Sequence, residues 1–136
     1  MDRIEHEALV RRLYKARHAK DYRTVIAGFH PQAHFRLVGV VPGTPFSGLR
    51  IGRDRIFESI QQFDVAFEMF DFEVTEIIFE DPKAALTWRT RIRNRGAGPT
   101  LEIEGSDFAA YEDGLIISFT QYYDTAAMAE LFNRSL

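Results

Sequence analysis

The chain has 136 residues, 46% of them hydrophobic, so one domain with a buried core is expected and two would be cramped. There is no cysteine, which excludes a disulfide scaffold, a thiolate zinc site and thiol catalysis. Seventeen Lys and Arg against 20 Asp and Glu leave a net charge of −3, so no global field attracts nucleic acid, and no apolar run approaches the roughly 18 residues of a membrane span. The opening MDRIEHEALV does not read as a signal peptide, and a cytoplasmic protein is the default expectation. The unusual count is the aromatics: 12 Phe, 5 Tyr and 1 Trp.

Within residues 2–19, Leu9, Val10, Leu13 and Ala16 recur at helical spacing, and His6 falls on the same apolar side. Asp21 is placed to cap a second, short helix carrying Tyr22, Val25, Ile26 and Phe29, with Gly28 weakening its end. His30-Pro31-Gln32 reads as a turn. His34-Phe35-Arg36-Leu37-Val38 alternates polar and apolar, which predicts a first strand. Residues 39–52 contain Gly39, Pro42, Gly43, Pro45, Gly48 and Gly52 and are expected to form a long irregular rim. Arg53 to Phe67 reads as a third helix through Ile56, Phe57, Ile60, Phe63 and Phe67. A strand follows from Asp71, with Phe72, Val74, Ile77, Ile78 and Phe79, and Glu80-Asp81-Pro82-Lys83 turns the chain. Three more strands are expected over 84–95, 100–111 and 115–124, separated by Gly96-Ala97-Gly98-Pro99 and Glu112-Asp113-Gly114. A last helix follows Asp124, carrying Ala126, Ala127, Met128, Leu131 and Phe132. Helices segregated from consecutive hairpins predict an α+β fold, a single domain over 1–136.

The hairpins can be registered from charge and polarity. Pairing Arg95 with Thr100 sets Arg93 opposite Glu102 and Arg91 opposite Glu104, whereas a slip of one residue mixes polar with apolar faces. At the second hairpin a two-residue Asp113-Gly114 turn pairs Tyr111 with Ile116, and a three-residue loop pairs Tyr111 with Leu115. The latter gathers Leu115, Ile117, Phe119 and Tyr123 on one apolar face and is preferred. Trp88, Asp107 and Phe119 then form one row, on a face shared with Leu86, Ile92, Ile103 and Tyr111. Asp107 is expected to be a carboxylate inside an apolar concavity.

A carboxylate among Trp88, Phe119 and Tyr123 would be desolvated and its pKa raised, which suits an acid, base or ligand anchor. The alternative is a structural acid bonded to Trp88, a tyrosine hydroxyl or a backbone amide. Asp124 reads either as the cap of the last helix or as a second pocket carboxylate. His6, His18, His30 and His34 have no spacing that makes a metal set, and no metal or cofactor is expected. Arg89, Arg91, Arg93 and Arg95 form a stripe that Glu102 and Glu104 neutralise, so a salt-bridged outer face is expected in place of a nucleic-acid surface. Phe108 and Ile116 on that outer face suggest a subunit interface.

The segments Phe29-His30-Pro31-Gln32-Ala33-His34-Phe35, Ser47-Gly48-Leu49-Arg50-Ile51-Gly52-Arg53-Asp54, Gly105-Ser106-Asp107-Phe108, Asp113-Gly114-Leu115-Ile116 and Tyr122-Tyr123-Asp124 resemble those of the nuclear transport factor 2-like superfamily. That superfamily includes SnoaL-like polyketide cyclases and ketosteroid isomerases. The resemblance implies a cone, a curved and mainly antiparallel sheet wrapped around N-terminal helices (a cystatin-like α+β barrel), with an interior pocket and a homodimer through the outer sheet face. Asp107 matches the aspartate that ketosteroid isomerases use as a neutral hydrogen-bond donor. The isomerase base position falls on Leu37, and the isomerase tyrosine falls near Leu13, with Tyr14 one residue away. The expected occupant is a small apolar, oxygen-bearing, cyclic molecule. Asp107, Tyr14, Tyr123 and Asp124 are the candidate catalytic residues, and Trp88, Phe119, Phe35, Leu37, Leu13 and Tyr111 the candidate pocket. Metal-free acid–base chemistry of isomerase, lyase or hydrolase type is one reading; a non-catalytic ligand-binding or dimerisation module is the other. Neither nucleic acid nor membrane is an expected partner.

Overall fold

The computed structural model describes residues 2–39, 47–96 and 98–133, the side chains of 132 and 133 excepted. Helix α1 (Arg3–His18) begins at Asp2, whose carboxylate accepts the Glu5 amide at 2.8 Å, and ends with Lys15, Arg17 and His18 in its last turn. Acid at the start and base at the end both suit the helix dipole. His6, Val10, Leu13 and Ala16 bury one face. Helix α2 (Tyr22–Ala27) is capped by Asp21, which accepts from both the amide and the hydroxyl of Thr24.

Strand β1 (Phe29–Val38) begins earlier than the alternation predicts, and His30–Gln32 fall inside it rather than in a turn. Its ladder to β6 (Leu115–Tyr123) is irregular between Phe29 and His34, which hides the strand's period there. Strand β2 (Gly48–Ile51) lies where a loop was expected and pairs antiparallel with β1, from Leu37 opposite Gly48 to His34 opposite Ile51. Four residues are too few to show alternation. Residues 40–46 of that expected loop, Ala97 of the later hairpin loop and the side chain of Phe132 lie outside the described residues. Gly52 holds φ at +89° immediately before α3 (Arg53–Ala66), a backbone conformation that favours glycine.

Phe67, which continues the helical period, is instead the buried first residue of β3 (Phe67–Glu80). Strands β4 (Lys83–Asn94) and β5 (Leu101–Glu112) and helix α4 (Thr125–Asn133) complete the chain. The six strands run in the order β2-β1-β6-β5-β4-β3, antiparallel except for β1 beside β6. β2 and β3 are both edges, so the sheet does not close. Bulges in β3 between Phe70 and Glu73 and between Val74 and Glu76 bend it around the helices.

The first expected hairpin register is corrected by two residues, and the second by one at its turn and by two beyond a bulge. Arg91 lies opposite Glu102, Arg89 opposite Glu104, and Trp88 opposite Gly105. Asp107 faces Leu86 on β4 and Gln121 on β6, not Trp88 and Phe119. The turn is the two-residue Asp113-Gly114 form, with Tyr111 opposite Ile116, and a bulge then restores the face of Phe119. Ile116 consequently enters the core and not the outer face, and Leu115 pairs with Glu112 on the outer side. A displacement of two preserves every other strand's facing, so the inward set Leu86, Trp88, Ile92, Ile103 and Asp107 stays together and buried.

The close ion pairs of the arginine stripe are made to β3, while Glu102 and Glu104, opposite Arg91 and Arg89, add longer-range attraction at Arg89. Arg89 pairs with Glu73 at 2.8 Å, Arg91 with Asp71 at 3.3 Å, and Arg93 and Arg95 share Glu68 at 3.3 and 2.8 Å. Beyond the stripe, Ile78, Phe108 and Tyr122 are exposed, and the last two rings meet edge to face at 5.9 Å. On the inner side, Gly105 gives the Trp88 ring its place: a Cβ there would lie 2.2 Å from Trp88 Cζ2 and 2.7 Å from the Tyr122 carbonyl oxygen.

Candidate functional site

Asp107 is 2% exposed. Trp88 Nε1 donates to its Oδ1 at 2.9 Å, the Tyr14 hydroxyl donates to its Oδ2, and the Gln121 side chain bonds the same carboxylate. Helix α1 supplies Tyr14, β4 supplies Trp88 and β6 supplies Gln121, so three elements converge on one buried acid. Burial raises the Asp107 pKa to about 6, and the three hydrogen bonds limit the rise. Burial, followed by the charge and hydrogen bond of Asp107, holds the Tyr14 hydroxyl well above its usual pKa. The proton between the two therefore belongs to Tyr14.

Beside this cluster is a cavity of about 120 Å³. Its walls include Leu13, Phe35, Leu37, Trp88, Phe119 and Met128, with the Phe35 and Phe119 rings stacked at 5.2 Å. Tyr14, Arg17, His18, Ser59, Gln121 and Tyr123 add the polar groups. Arg17 is already committed: Nη1 lies 2.9 Å from Asp64 Oδ2, which also accepts the Tyr22 hydroxyl at 2.6 Å. Burial and Arg17 lower His18 to about 4, so its imidazole is neutral at ordinary pH. The Tyr123 hydroxyl is buried and has no hydrogen-bond partner among the described residues.

Of the residues singled out from sequence, Tyr14, Tyr123, Leu13, Phe35, Leu37, Trp88 and Phe119 line this cavity. Asp107 does not: it stands behind Tyr14 and Gln121 and lines a separate void of about 20 Å³. Tyr111 borders that same small void and packs edge-on against His6 at 4.4 Å, so its assignment to the main pocket is corrected. His6 is enclosed between Tyr111 and Phe79 and does not reach the main cavity. Asp124 is also corrected as a pocket acid. It is exposed and caps α4, accepting the Ala127 amide at 3.0 Å. Among the described residues no three His, Cys, Asp or Glu side chains converge as a metal set.

Sequence reasoning missed Arg17, His18, Gln121, Ser59 and Phe72 as cavity residues. The first two stand one helical turn beyond Leu13 and Tyr14, and Gln121 lies between Phe119 and Tyr123 at period two. Those signals were present, but polar side chains on an otherwise apolar face read as noise until the cavity is seen.

The sequence profile of the SnoaL-like domain matches residues 10–119. The chain belongs to the SnoaL-like domain family. Solved structures of the same fold include a nuclear transport factor 2-like protein of unknown function from Burkholderia pseudomallei, at 21% identity and a TM-score of 0.85, covering 93% of this chain and 95% of that one. TerC, crystallised with polyporic acid, aligns at 16% identity and 0.84, covering 94% and 98%. A candidate polyketide cyclase from Xanthomonas campestris aligns at 16% and 0.76, covering 95% and 97%. At these identities the likeness shows the fold alone. Comparison with curated protein sequences finds no match. Among the described residues no helix is long and apolar enough to cross a membrane.

The raised Asp107 pKa makes a stability prediction. Between 3.8 and about 6 the unfolded chain has lost this proton while the folded chain keeps it. The contribution is therefore fully present below pH 3.8 and lost as pH rises through about 6, a change of roughly 3 kcal/mol. In urea unfolding from pH 3.5 to 7, the stability of the native chain relative to Asp107→Asn should fall by about that amount. A difference that is flat, or that grows with pH, contradicts the assignment.

Proposed function

We propose that the cone binds one small, mostly apolar ring compound and recognises an oxygen on it through Tyr123 and Gln121. The observation that carries this is the unpartnered Tyr123 hydroxyl. A buried hydroxyl without a partner costs about 1–3 kcal/mol, and a ligand oxygen that reaches it removes that cost. The cavity size sets an upper limit: an apolar cavity of about 150 Å³ holds benzene, so 120 Å³ takes at most one ring, with any substituent directed to the mouth. A fused polycycle would have to protrude through the mouth. TerC, which shares the fold, was co-crystallised with the small molecule polyporic acid, in keeping with a small-molecule ligand.

Asp107 acts in this reading through Tyr14, as a positioning residue. Both carboxylate oxygens are engaged, so direct proton exchange with a ligand is not what the arrangement offers. Ionised, the carboxylate draws the Tyr14 proton and leaves the Tyr14 oxygen as an acceptor toward the cavity. Neutral, it can donate to the Tyr14 oxygen and release the Tyr14 O–H toward a ligand. The second reading is metal-free acid–base catalysis, with that released O–H stabilising charge on a substrate oxygen. Leu37 favours binding over isomerase-type catalysis, since the position of the isomerase base is here an apolar wall. For the outer face, we propose that a second copy of the chain covers Ile78, Phe108 and Tyr122.

Two measurements follow. Tyr123→Phe should raise the stability of the free protein by about 1 kcal/mol and weaken acetophenone binding severalfold while leaving ethylbenzene unchanged, as read by NMR titration. Loss of stability together with equal effects on both probes contradicts the Tyr123 assignment. In solution the chain should have twice the 15.7 kDa mass by light scattering, and Phe108→Asp should halve it; a native monomer overturns the pairing.

A further inference from the structure

Two side chains on α1 stand one helical turn apart on the cavity wall, Tyr14 and His18. Both lie flat on Phe72 of β3: Tyr14 at 5.6 Å between centroids and 15° between planes, His18 at 3.8 Å and 22°. Phe72 in turn packs on Trp88 at 5.6 Å. The imidazole is thus held in a fixed plane by an aromatic stack anchored in the sheet. Among the described residues no group hydrogen-bonds its ring nitrogens. A neutral imidazole carries one donor and one acceptor. His18 is half-buried, and a rigid polar edge that no protein group occupies is one a ligand can use in place of water.

The charge around it limits what that partner can be. The charged groups near His18 are Arg17 and Asp64, and they neutralise each other at 2.9 Å, with Tyr22 also on Asp64. An anionic ligand finds no free countercharge there, and a cationic one meets Arg17 and apolar walls. A neutral hydroxyl fits, because it can satisfy either imidazole nitrogen without bringing charge into the cavity.

We propose that His18 is the second polar anchor of the cavity, and that the occupant is a hydroxylated ring ketone, its carbonyl at Tyr123 and Gln121 and its hydroxyl at His18. This rests on the ligand-binding reading above. It adds the second oxygen and the residue that selects for it. His18 orients the ligand; Phe72 orients His18. Because His18 stays neutral well below pH 7, its own protonation does not alter the selectivity between pH 5 and 7.

The test uses two probes of matched shape, para-hydroxyacetophenone and para-methylacetophenone, titrated into the full chain and followed by protein NMR. The native protein should bind the hydroxyl probe about 3- to 10-fold more tightly, the range of one net hydrogen bond. His18→Phe keeps a ring on Phe72 and should abolish the preference, so that the two probes bind with equal affinity. His18→Gln, which keeps a donor and an acceptor, should restore part of it. Equal affinities in the native protein, or a preference that survives in His18→Phe, overturns the role of His18. Binding of the methyl probe without any preference overturns this inference alone. Failure of both probes to perturb cavity residues overturns the ligand-binding reading as well.

Discussion

The desolvated carboxylate of Asp107 organises the interior of this protein. An acid with 2% exposure is tolerable only if its oxygens are bonded, and the bonds come from Tyr14, Trp88 and Gln121. Meeting that requirement ties α1 to β4 and β6. It fixes the rotation of α1, since the helix must present Tyr14 to the sheet, and so also decides that Arg17 and His18 reach the cavity one turn later. It fixes the Trp88 ring as well, which lies over Gly105 because no side chain stands there. The pocket is thus a by-product of satisfying one acid, and its polar edge is displaced from the acid's partners by one helical turn on α1, from Tyr14 to His18, and by two residues on β6, from Gln121 to Tyr123.

This displacement separates stability from recognition. Asp107 is fully bonded and sits behind the wall, where it sets the proton direction of Tyr14. Two further polar residues of the cavity wall are Tyr123 on β6, whose buried hydroxyl has no partner among the described residues, and half-buried His18 on α1. A buried polar group without a partner costs the free protein stability. The proposed occupant would remove that cost at Tyr123 with one oxygen and bond half-buried His18 with the other.

Much of this was legible from residues alone, for a reason tied to the period of a strand. The first hairpin register, read from charge pairs, differs from the structure by two residues, and the second, read from its apolar face, differs by two beyond the bulge, yet the inward face is the same there, since facing depends on parity and not on the exact partner. Asp107 therefore falls inside in both, although its direct partners are Leu86 and Gln121 in place of the expected Trp88 and Phe119. Ile116 was placed wrongly because a bulge breaks parity, and nothing in Leu115-Ile116-Ile117 announces a bulge. β2 escaped notice because four residues with glycines at both ends carry no period. Asp124 had two readings, cap and pocket acid, and the start of α4 decided between them. His18 was invisible as a site residue, since its role depends on Phe72, a partner 54 positions away that only the folded sheet supplies.

The central claim is that the Tyr123 hydroxyl is unsatisfied because it belongs to a ligand. A crystal structure of the protein soaked with acetophenone tests it most directly. The account predicts the ring between Leu13, Phe35 and Phe119, with the carbonyl oxygen within hydrogen-bond distance of Tyr123 Oη. An interior closed to the probe, with Tyr123 Oη bonded to another group of the protein, would contradict it.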